Sequence, residues 1–304
     1  MKIVLHAGAP KTGTSSLQYF LHAQREALLE RGVLYPRSGI AARGEPKHQW
    51  MVDQLMRPAA DQFAPLFESA VSEARDDTHT VLLSSEGLFN HWWDFSPAGR
   101  AALKALKERY PVEAWVFFRD PIAFIRSDYI EKLKAPKWRI ACYGRDLSIN
   151  HMLDDPWFAR HLDYIGFVRD VETVLGAGAV RPFPHTGDTI GAVLGALGVD
   201  DLTADAQRRN RTMGAFGVAV LRRLNRLELS PGRKRKAVEL IMRLDGLAGG
   251  ESRPLILDGK TRKRVLALAA ESIAALRADY GLNFDLVRGA DGAPQPRSVA
   301  RRRR

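Results

Sequence analysis

Two patterns of hydrophobic residues alternate along the chain. Short apolar runs of β-branched and aromatic residues, the pattern of buried strands, occur at positions 2–5, 80–84, 112–118 and 179–183. Between these runs, apolar residues recur every three or four positions, as they do on amphipathic helices. Strands therefore alternate with helices, and no hairpin turn joins two strands directly. This order predicts an α/β fold with a mostly parallel central sheet flanked by helices on both faces.

Residues that begin or end helices divide the helical stretches. Gly32 is placed to end the first helix, and Asp120 with Pro121 is placed to begin a later one. We predict helices over 14–31, 61–75, 101–109, 122–134, 159–175, 189–197, 234–247 and 261–280. A further helix follows the sequence N-R-T-M and should bury one apolar stripe, formed by Met213, Phe216, Val220, Leu224 and Leu227.

The same pattern predicts the domain organisation. No repeat and no linker-like composition interrupts residues 1–285, so we expect a single domain there. Within it, residues 136–158 form an irregular, aromatic-rich insertion of the kind that serves as a lid or binding loop. Residues 286–304 lose periodicity and end in arginines, so we expect a basic, disordered tail.

Composition is that of an ordinary globular protein, with 304 residues, 45% of them hydrophobic and 27% charged. No apolar run approaches the ~20 residues of a membrane span, and a strand begins next to Met1. We therefore expect neither a transmembrane segment nor a signal peptide. Cys142 is the single cysteine, which excludes an internal disulfide and fits a reducing compartment. These features predict a cytoplasmic location.

The formal net charge is +11, and its distribution along the chain is uneven. Positions 207–236 carry ten Lys or Arg residues against one acidic residue, and four arginines end the chain. Such a cluster suits a polyanion, such as a nucleic acid, an acidic membrane or a nucleotide with several phosphates. A solvated helix face is the alternative interpretation, with equal weight.

A candidate phosphate-binding loop follows the first strand. A strand, a glycine-bearing loop and a helix N-terminus in succession present free N–H groups and the positive end of a helix dipole. The loop's donors and turn formers are Gly8, Pro10, Lys11, Thr12, Gly13, Thr14 and Ser15. Lys11 precedes Gly13 by two positions, whereas the loop of nucleoside triphosphatases has lysine directly after its second glycine. The loop is therefore phosphate-binding in type but not a nucleoside-triphosphatase loop.

A second candidate anion site lies where the strand at 112–118 ends. Arg119 is at the strand end, and Ser127 falls about two turns into the helix that Asp120 caps. A guanidinium at a strand end and a hydroxyl on a helix face can hold one phosphate from two sides. Taken alone, Arg119 could be an ordinary ion-pair partner; two such motifs in order make a nucleotide site the better interpretation.

Together the two motifs resemble those of sulfotransferases that use 3′-phosphoadenosine-5′-phosphosulfate (PAPS). The resemblance covers residues 1–285 in layout; it is specific at G-A-P-K-T-G-T and R-x-P-x-x-x-x-x-S, and looser at S-S-E-G-L-F and N-R-T-M. It implies a P-loop nucleotide-kinase-like α/β domain, with PAPS as cofactor and adenosine 3′,5′-bisphosphate as product. The glycine-rich adenine-site motif and the catalytic histidine of the cytosolic animal members have no recognisable equivalent.

The resemblance also implies roles for individual residues. The first loop, Gly8 to Ser15, would hold the 5′-phosphate, with Lys11 near the bridging oxygen of the sulfuryl group. Arg119 and Ser127 would hold the 3′-phosphate, and Arg209 or Arg211 would assist from the basic cluster. A cofactor with phosphates at both ends of a ribose would thus be held at two strand ends.

A hydroxyl acceptor must lose its proton as it attacks sulfur, so a carboxylate or imidazole is needed near the first loop. Glu86 follows the strand at 80–84, and in the polysaccharide-modifying branch of the family a glutamate base stands at a similar point. His48 and His91 are the next candidates, and His6 is expected to be packed inside its strand. Alternatively, Glu86 caps the following helix or pairs with a lysine.

The acceptor is less constrained than the cofactor. Aromatic and basic side chains of the insertion suit a sugar ring and an acidic group, so a glycan or glycolipid is preferred over a small phenol or alcohol. These side chains are Lys137, Trp138, Arg139, Tyr143, Arg145 and Trp157. The sequence does not indicate an oligomeric state.

Two other function classes stay open. A nucleotide-dependent kinase would share the fold and need Mg²⁺, but serines rather than an aspartate close the strand at 80–84. A nucleic-acid-binding protein would use the basic cluster, but that cluster lacks interleaved aromatic residues, so we expect no nucleic acid. No histidine has the spacing of a zinc motif, so we expect no metal.

Overall fold

The computed structural model describes residues 1–9, 12–41, 44–137, 140–202, 213–250 and 254–284. Within these ranges the strands are β1 (Lys2–Gly8), β2 (Val33–Leu34), β3 (Thr80–Ser84), β4 (Val112–Phe118) and β5 (Val180–Pro184). They form one sheet in the order β2-β3-β1-β4-β5, and every neighbouring pair is parallel. The predicted parallel sheet is confirmed. The expected tail at 286–304 lies outside the described residues.

Helices connect the strands and account for most of the remaining chain. They are α1 (Thr14–Ala23), α2 (Arg25–Leu29), α3 (Gln49–Leu55), α4 (Phe63–Val71), α5 (Gly87–Asn90), α6 (Pro97–Arg109), α7 (Pro121–Lys134), α8 (Ile149–Leu153), α9 (Pro156–Ala159), α10 (Tyr164–Leu175), α11 (Thr189–Leu197), α12 (Ala215–Leu224), α13 (Pro231–Leu247) and α14 (Gly259–Tyr280). Short 3₁₀ turns at Trp92–Asp94 and Arg160–Leu162 follow α5 and α9. In the part of the chain that the structure describes, no helix is long and apolar enough to cross a bilayer.

The sheet is buried on both faces, as the apolar strands predict. Because successive side chains of a strand point to opposite faces, β1 and β4 each contribute to two separate hydrophobic clusters. Val4 and Trp115 belong to the cluster under α1 and α11. Leu5 and Val116 belong to the larger cluster, which the remaining helices cover. Helices on both faces are therefore confirmed.

Local end signals position most helices as predicted. Gly32 takes the left-handed conformation, with φ of +73°, after the first helical segment. The Asp120 side chain accepts a hydrogen bond from the Ala123 N–H at 2.8 Å, and Pro121 is the first residue of α7. The predicted helix at 14–31 is divided at Gln24 into α1 and α2. The single helix predicted at 159–175 is wrong, because Asp163 caps α10 through the Gly166 N–H at 2.9 Å.

The stripe predicted for α12 is correct only in part. Met213 is buried and Val220 and Leu224 pack against the core, as predicted, but Phe216 and Leu227 are 54% and 57% exposed. Val218 and Leu221 are buried instead. The cause lies on α13, where the buried Asp245 accepts hydrogen bonds from the N–H groups of Gly214 at 2.7 Å and Gly217 at 2.8 Å. This long-range cap fixes the rotation of α12 and turns Phe216 outward.

The aromatic insertion is attached to α7 through a buried lysine. Lys132 Nζ lies 3.0 Å from Asp128 Oδ1, 4.9 Å from the centre of the Tyr143 ring and 5.2 Å from that of Trp157. Burial lowers the pKa of Lys132, but Asp128 and Tyr143 raise it more strongly, so the ammonium group is charged. Two aromatic residues predicted to face an acceptor therefore contact Lys132.

A test of the packing uses Gly99, in the first turns of α6. A Cβ atom at Gly99 would lie 2.1 Å from the Leu55 carbonyl oxygen, which is backbone and cannot move aside alone. We expect Gly99→Ala to lower the free energy of unfolding by about 2–3 kcal/mol, measured by urea denaturation. Gly232→Ala is the matched control, since a Cβ on that α13 residue meets nothing within 4 Å. Equal stability of the two variants would contradict this packing.

Candidate functional site

The candidate site lies where the carboxyl ends of β3, β1 and β4 meet. β1 pairs with β3 up to His6 and Ser84, and with β4 up to Gly8 and Phe117. Because neighbouring strands are about 4.8 Å apart, whatever follows these three strands gathers at one edge of the sheet. Ligands of open α/β sheets bind at this edge.

The first loop is shaped by two glycines. A Cβ atom at Gly8 would lie 1.9 Å from Thr14 Oγ1, so only glycine permits the loop to fold back over the end of β1. Gly13 takes the left-handed conformation, with φ of +84°, directly before α1. The chain therefore turns sharply from strand to helix, and the α1 N-terminus points to the edge where the strands end.

The hydroxyl of Thr12 holds the loop together. Its Oγ1 donates to the Ala9 carbonyl at 2.8 Å, and its own carbonyl accepts a hydrogen bond from the hydroxyl of Thr189 on α11. Thr12 and Thr14 are both buried. Their hydroxyls are thus directed into the protein, so the remaining donors of this segment are the N–H groups at the start of α1.

No side chain among the described residues caps the N-terminus of α1. The first N–H groups of a helix need partners, and the helix dipole makes an anion the favoured one. Pro10 and Lys11 lie outside the described residues, as do Arg209 and Arg211. The described start of α1 is therefore suited to bind a phosphate group.

Glu86 stands beside this helix start. Its Oε1 lies 3.4 Å from the Ser15 hydroxyl, and its Oε2 lies 3.5 Å from Lys47 Nζ. Although Glu86 precedes α5, its carboxylate does not cap that helix. Burial raises the pKa of Glu86, while Lys47 opposes this shift. The result is a carboxylate of raised basicity, held next to the candidate phosphate site.

Glu45 and Lys47 complete this cluster, and sequence reasoning missed both. Ser15 Oγ donates to Glu45 Oε1 at 2.9 Å, and Lys47 Nζ lies 3.0 Å from Glu45 Oε2. The segment that carries them is fixed by the Tyr35 hydroxyl, which donates to the Pro46 carbonyl at 2.7 Å. Charged residues on both sides of a proline, after the strand at 33–34, were the only local signal.

His48 has a different environment from the one predicted for a base. It is fully buried, its Nδ1 accepts the Ser84 N–H at 3.1 Å, and its Nε2 therefore donates to the Pro36 carbonyl at 3.0 Å. Burial lowers its pKa to about 4. His6 is likewise buried, with Nδ1 2.8 Å from Ser84 Oγ and a pKa of about 4. Both rings are neutral and are engaged in joining β3 to its neighbours.

The second motif assembles at the end of β4 as predicted by its spacing. Arg119 Nη1 donates to Ser127 Oγ at 3.1 Å, across the first two turns of α7. Burial lowers the pKa of Arg119, and the nearby Arg126 lowers it further. Two guanidinium groups close together in a half-buried position favour binding of an anion.

His185 and Thr189, which sequence reasoning also missed, join the two motifs from the side of β5. The backbone N–H of His185 donates to the Phe118 carbonyl at 2.8 Å. Burial of the His185 ring, together with the nearby Arg119, lowers the pKa of that ring to about 4. Thr189 contacts the first loop through Thr12.

α12, which begins four residues after Arg211, packs against α7. In the described part of the chain, no three metal-ligating side chains form a cluster.

Comparison with known proteins identifies a shared fold. No protein-family model matches the chain, and no curated protein sequence is similar to it. Among solved structures, the crystal structure of a sulfotransferase from Alicyclobacillus acidocaldarius is similar, with a TM-score of 0.51 and 14% sequence identity. The likeness covers 92% of this chain and 96% of that chain. The α/β architecture of the sulfotransferase is thus also the architecture of this protein.

The neutral state of His48 predicts a pH dependence of stability. Below its ordinary pKa of 6.5 the unfolded chain binds a proton that the buried ring, with a pKa of about 4, does not bind. The contribution of His48 to the free energy of unfolding is complete above pH 6.5 and falls by about 1.4 kcal/mol per pH unit as the pH declines further.

We expect His48→Gln to be less stable than the wild type at pH 7. Between pH 6 and 4.5, its free energy of unfolding should fall with declining pH less steeply than that of the wild type, by about this amount per pH unit. His151→Gln, at an exposed position of α8, is the control for urea titrations across this range. Identical slopes for wild type and His48→Gln would contradict the assignment.

Proposed function

We propose that this protein is a sulfotransferase that moves the sulfuryl group of PAPS to a hydroxyl acceptor. The observation that carries this proposal is the Arg119–Ser127 pair, at 3.1 Å, at the end of the strand next to the uncapped α1 N-terminus. Two anion sites on adjacent strand ends match a nucleotide with phosphate groups on both its 3′ and 5′ positions. The shared fold with a solved sulfotransferase supports the same function.

The residues of the first loop would hold the 5′ side of the cofactor. Gly13 precedes α1, which begins with Thr14 and Ser15, and the N–H groups of these three residues are the natural donors to the 5′-phosphate. Thr12 and Gly8 set the shape of the loop, and Lys11 is proposed to stabilise charge on the sulfuryl oxygens. Arg119 and Ser127 would bind the 3′-phosphate, with Arg209 or Arg211 as further contacts. When bound, PAPS supplies the sulfuryl group, which leaves its 5′-phosphate as the acceptor oxygen attacks.

Glu86 is the base that we propose for this reaction. It must be ionised to accept the proton of the acceptor hydroxyl, and Lys47 at 3.5 Å favours that ionised form. The Ser15 hydroxyl, between Glu86 and Glu45, orients the carboxylate toward the start of α1. His48 is less suited, because both of its ring nitrogens already have hydrogen-bond partners.

The acceptor is proposed only as a hydroxyl compound, with a glycan or glycolipid as the first class to test. Lys137 pairs with Glu228, and Tyr143 and Trp157 cover Lys132, so these side chains are already in contact with the protein. A small phenol or alcohol stays an alternative. A screen of acceptors at constant cofactor concentration separates these classes.

The 3′-phosphate site is tested by binding of two nucleotides to Arg119→Ala. We expect this variant to weaken adenosine 3′,5′-bisphosphate by about 1.5–3 kcal/mol, because a charged hydrogen bond is lost, and to leave adenosine 5′-phosphate nearly unchanged. Isothermal titration calorimetry measures both. Arg109→Ala removes an exposed arginine that pairs with Glu68 and is the matched control. If the variant bound both nucleotides equally less tightly, Arg119 would have a structural role. If the wild type bound ATP with Mg²⁺ but neither adenosine nucleotide of this test, a kinase would be indicated.

The base is tested by the pH dependence of turnover. Because burial raises the pKa of Glu86, the acidic limb of the rate profile should lie above the ordinary glutamate value of about 4.3. Glu86→Gln should lower turnover by about 10²–10⁴-fold with cofactor affinity intact. Lys47→Met should move the acidic limb to higher pH, because a cation that favours the ionised carboxylate is lost, and Lys47→Arg should restore it. An unchanged limb in Lys47→Met would exclude Glu86 as the base.

A further inference from the structure

The outer face of α13 combines exposed leucines with basic side chains. At 100° per residue, six residues of this helix fall within an arc of about 100°. We name this set the α13 outer face: Arg233, Lys236, Leu240, Arg243, Leu244 and Leu247. The three leucines are 58%, 47% and 87% exposed, in chain order, and the three cations are exposed as well. No acidic residue lies within the arc, the nearest being Glu239 outside its edge.

The orientation of α13 is fixed, so this face is presented to the outside by the fold. On the opposite side of the helix, Ile241 is 6% exposed and Asp245 is 2% exposed. Asp245 holds the N–H groups of Gly214 and Gly217, and Lys234, also buried, donates to Asn225 at the end of α12. Rotating the leucines inward would break these contacts and bury the outer cations. The leucines are therefore held outside by the packing of α12.

Within the described ranges, no ion pair involves the three cations of this face, Arg233, Lys236 and Arg243. Arg222 and Arg226 of the neighbouring segment, by contrast, both pair with Asp146. The α13 outer face thus presents positive charge beside an apolar surface, along about 21 Å of helix.

We infer that the α13 outer face binds the surface of a membrane that contains anionic phospholipids. A helix with leucines and cations on one exposed side lies in the interface plane, with the leucines in the acyl boundary and the cations at the lipid phosphates. The net charge of +11 and the four arginines that end the sequence favour the same negatively charged surface. This inference does not depend on the proposed activity.

Other occupants fit the face less well. A second copy on the same face would bring six cations into one interface without an acidic group in the arc to pair with them. A nucleic acid would pair with the cations but leave the leucines without an apolar partner. An acidic lipid surface satisfies both parts of the face, because it supplies phosphate groups and acyl chains within a few ångströms of each other.

Vesicle co-sedimentation of the full chain tests this inference. We expect the protein to bind phosphatidylcholine vesicles that contain about a third phosphatidylglycerol on the order of 100-fold more tightly than pure phosphatidylcholine vesicles, given about fivefold for each of three cations. Leu240→Ser, Leu244→Ser and Leu247→Ser combined should weaken this binding at least about tenfold. Arg233→Gln, Lys236→Gln and Arg243→Gln combined should remove most of the preference for anionic vesicles.

Matched controls separate this face from general charge and hydrophobicity. Leu227→Ser, Ile256→Ser and Leu268→Ser combined alter three other exposed apolar residues, with exposed fractions of 57%, 62% and 43%. Lys104→Gln, Lys107→Gln and Lys260→Gln combined remove the same net charge from exposed positions on α6 and α14. Both controls should bind anionic vesicles like the wild type, and thermal unfolding confirms that all variants are folded.

Three kinds of result would overturn the inference. The first is a vesicle result: equal binding to neutral and anionic vesicles, or control variants that lose as much binding as the variants of the α13 outer face. The second is a dimer in light scattering that the leucine variant disperses, which would assign the face to a second copy. The third is tight oligonucleotide binding that depends on the three cations but not on the leucines, which would assign it to nucleic acid.

Discussion

The parallel pairing of β1 with both β3 and β4 is the constraint on which the candidate site depends. It places the ends of three strands side by side, so that the first loop, Glu86 and Arg119 emerge within two strand spacings of one another. A change in register of one residue would turn each strand's side chains to the opposite face, and both hydrophobic clusters resist this. The same strand register therefore sets both the packing of the sheet and the geometry of the site.

The surroundings of the first loop combine a helix start that favours an anion with two carboxylates that repel one. The uncapped start of α1 favours an anion, yet Glu45 and Glu86 stand beside it, both within reach of the Ser15 hydroxyl. Lys47 lies close to both carboxylates and offsets one of their charges. Under the proposed function, Glu86 must lie near the transferred group, and Lys47 reduces the repulsion between the two carboxylates and a bound phosphate. The buried neutral histidines add no charge to this balance.

The positive surplus of the chain is divided between an inner and an outer location. Arg119 and Arg126 are half-buried near the end of β4, where an anion of limited size can reach them. The cations of the α13 outer face are exposed on the opposite side of a helix that α12 holds in place. The ligand that we propose for the first arrangement is a small polyanion, and the one that we propose for the second is an extended negative surface.

Features that depend on neighbours in the chain were determined by the sequence itself. Four of the five strands, the Gly32 stop, the Asp120 cap and the Arg119–Ser127 spacing follow from periodicity or from contacts within two helical turns. Features that depend on distant partners were decided only by the tertiary structure. Asp245 set the rotation of α12, Ser84 and Pro36 engaged both nitrogens of His48, and the fold brought Glu45 and Lys47 to Glu86. Local pattern specifies which face of an element is apolar, but the direction of that face and the contacts of a buried polar group are set by residues far away in the sequence.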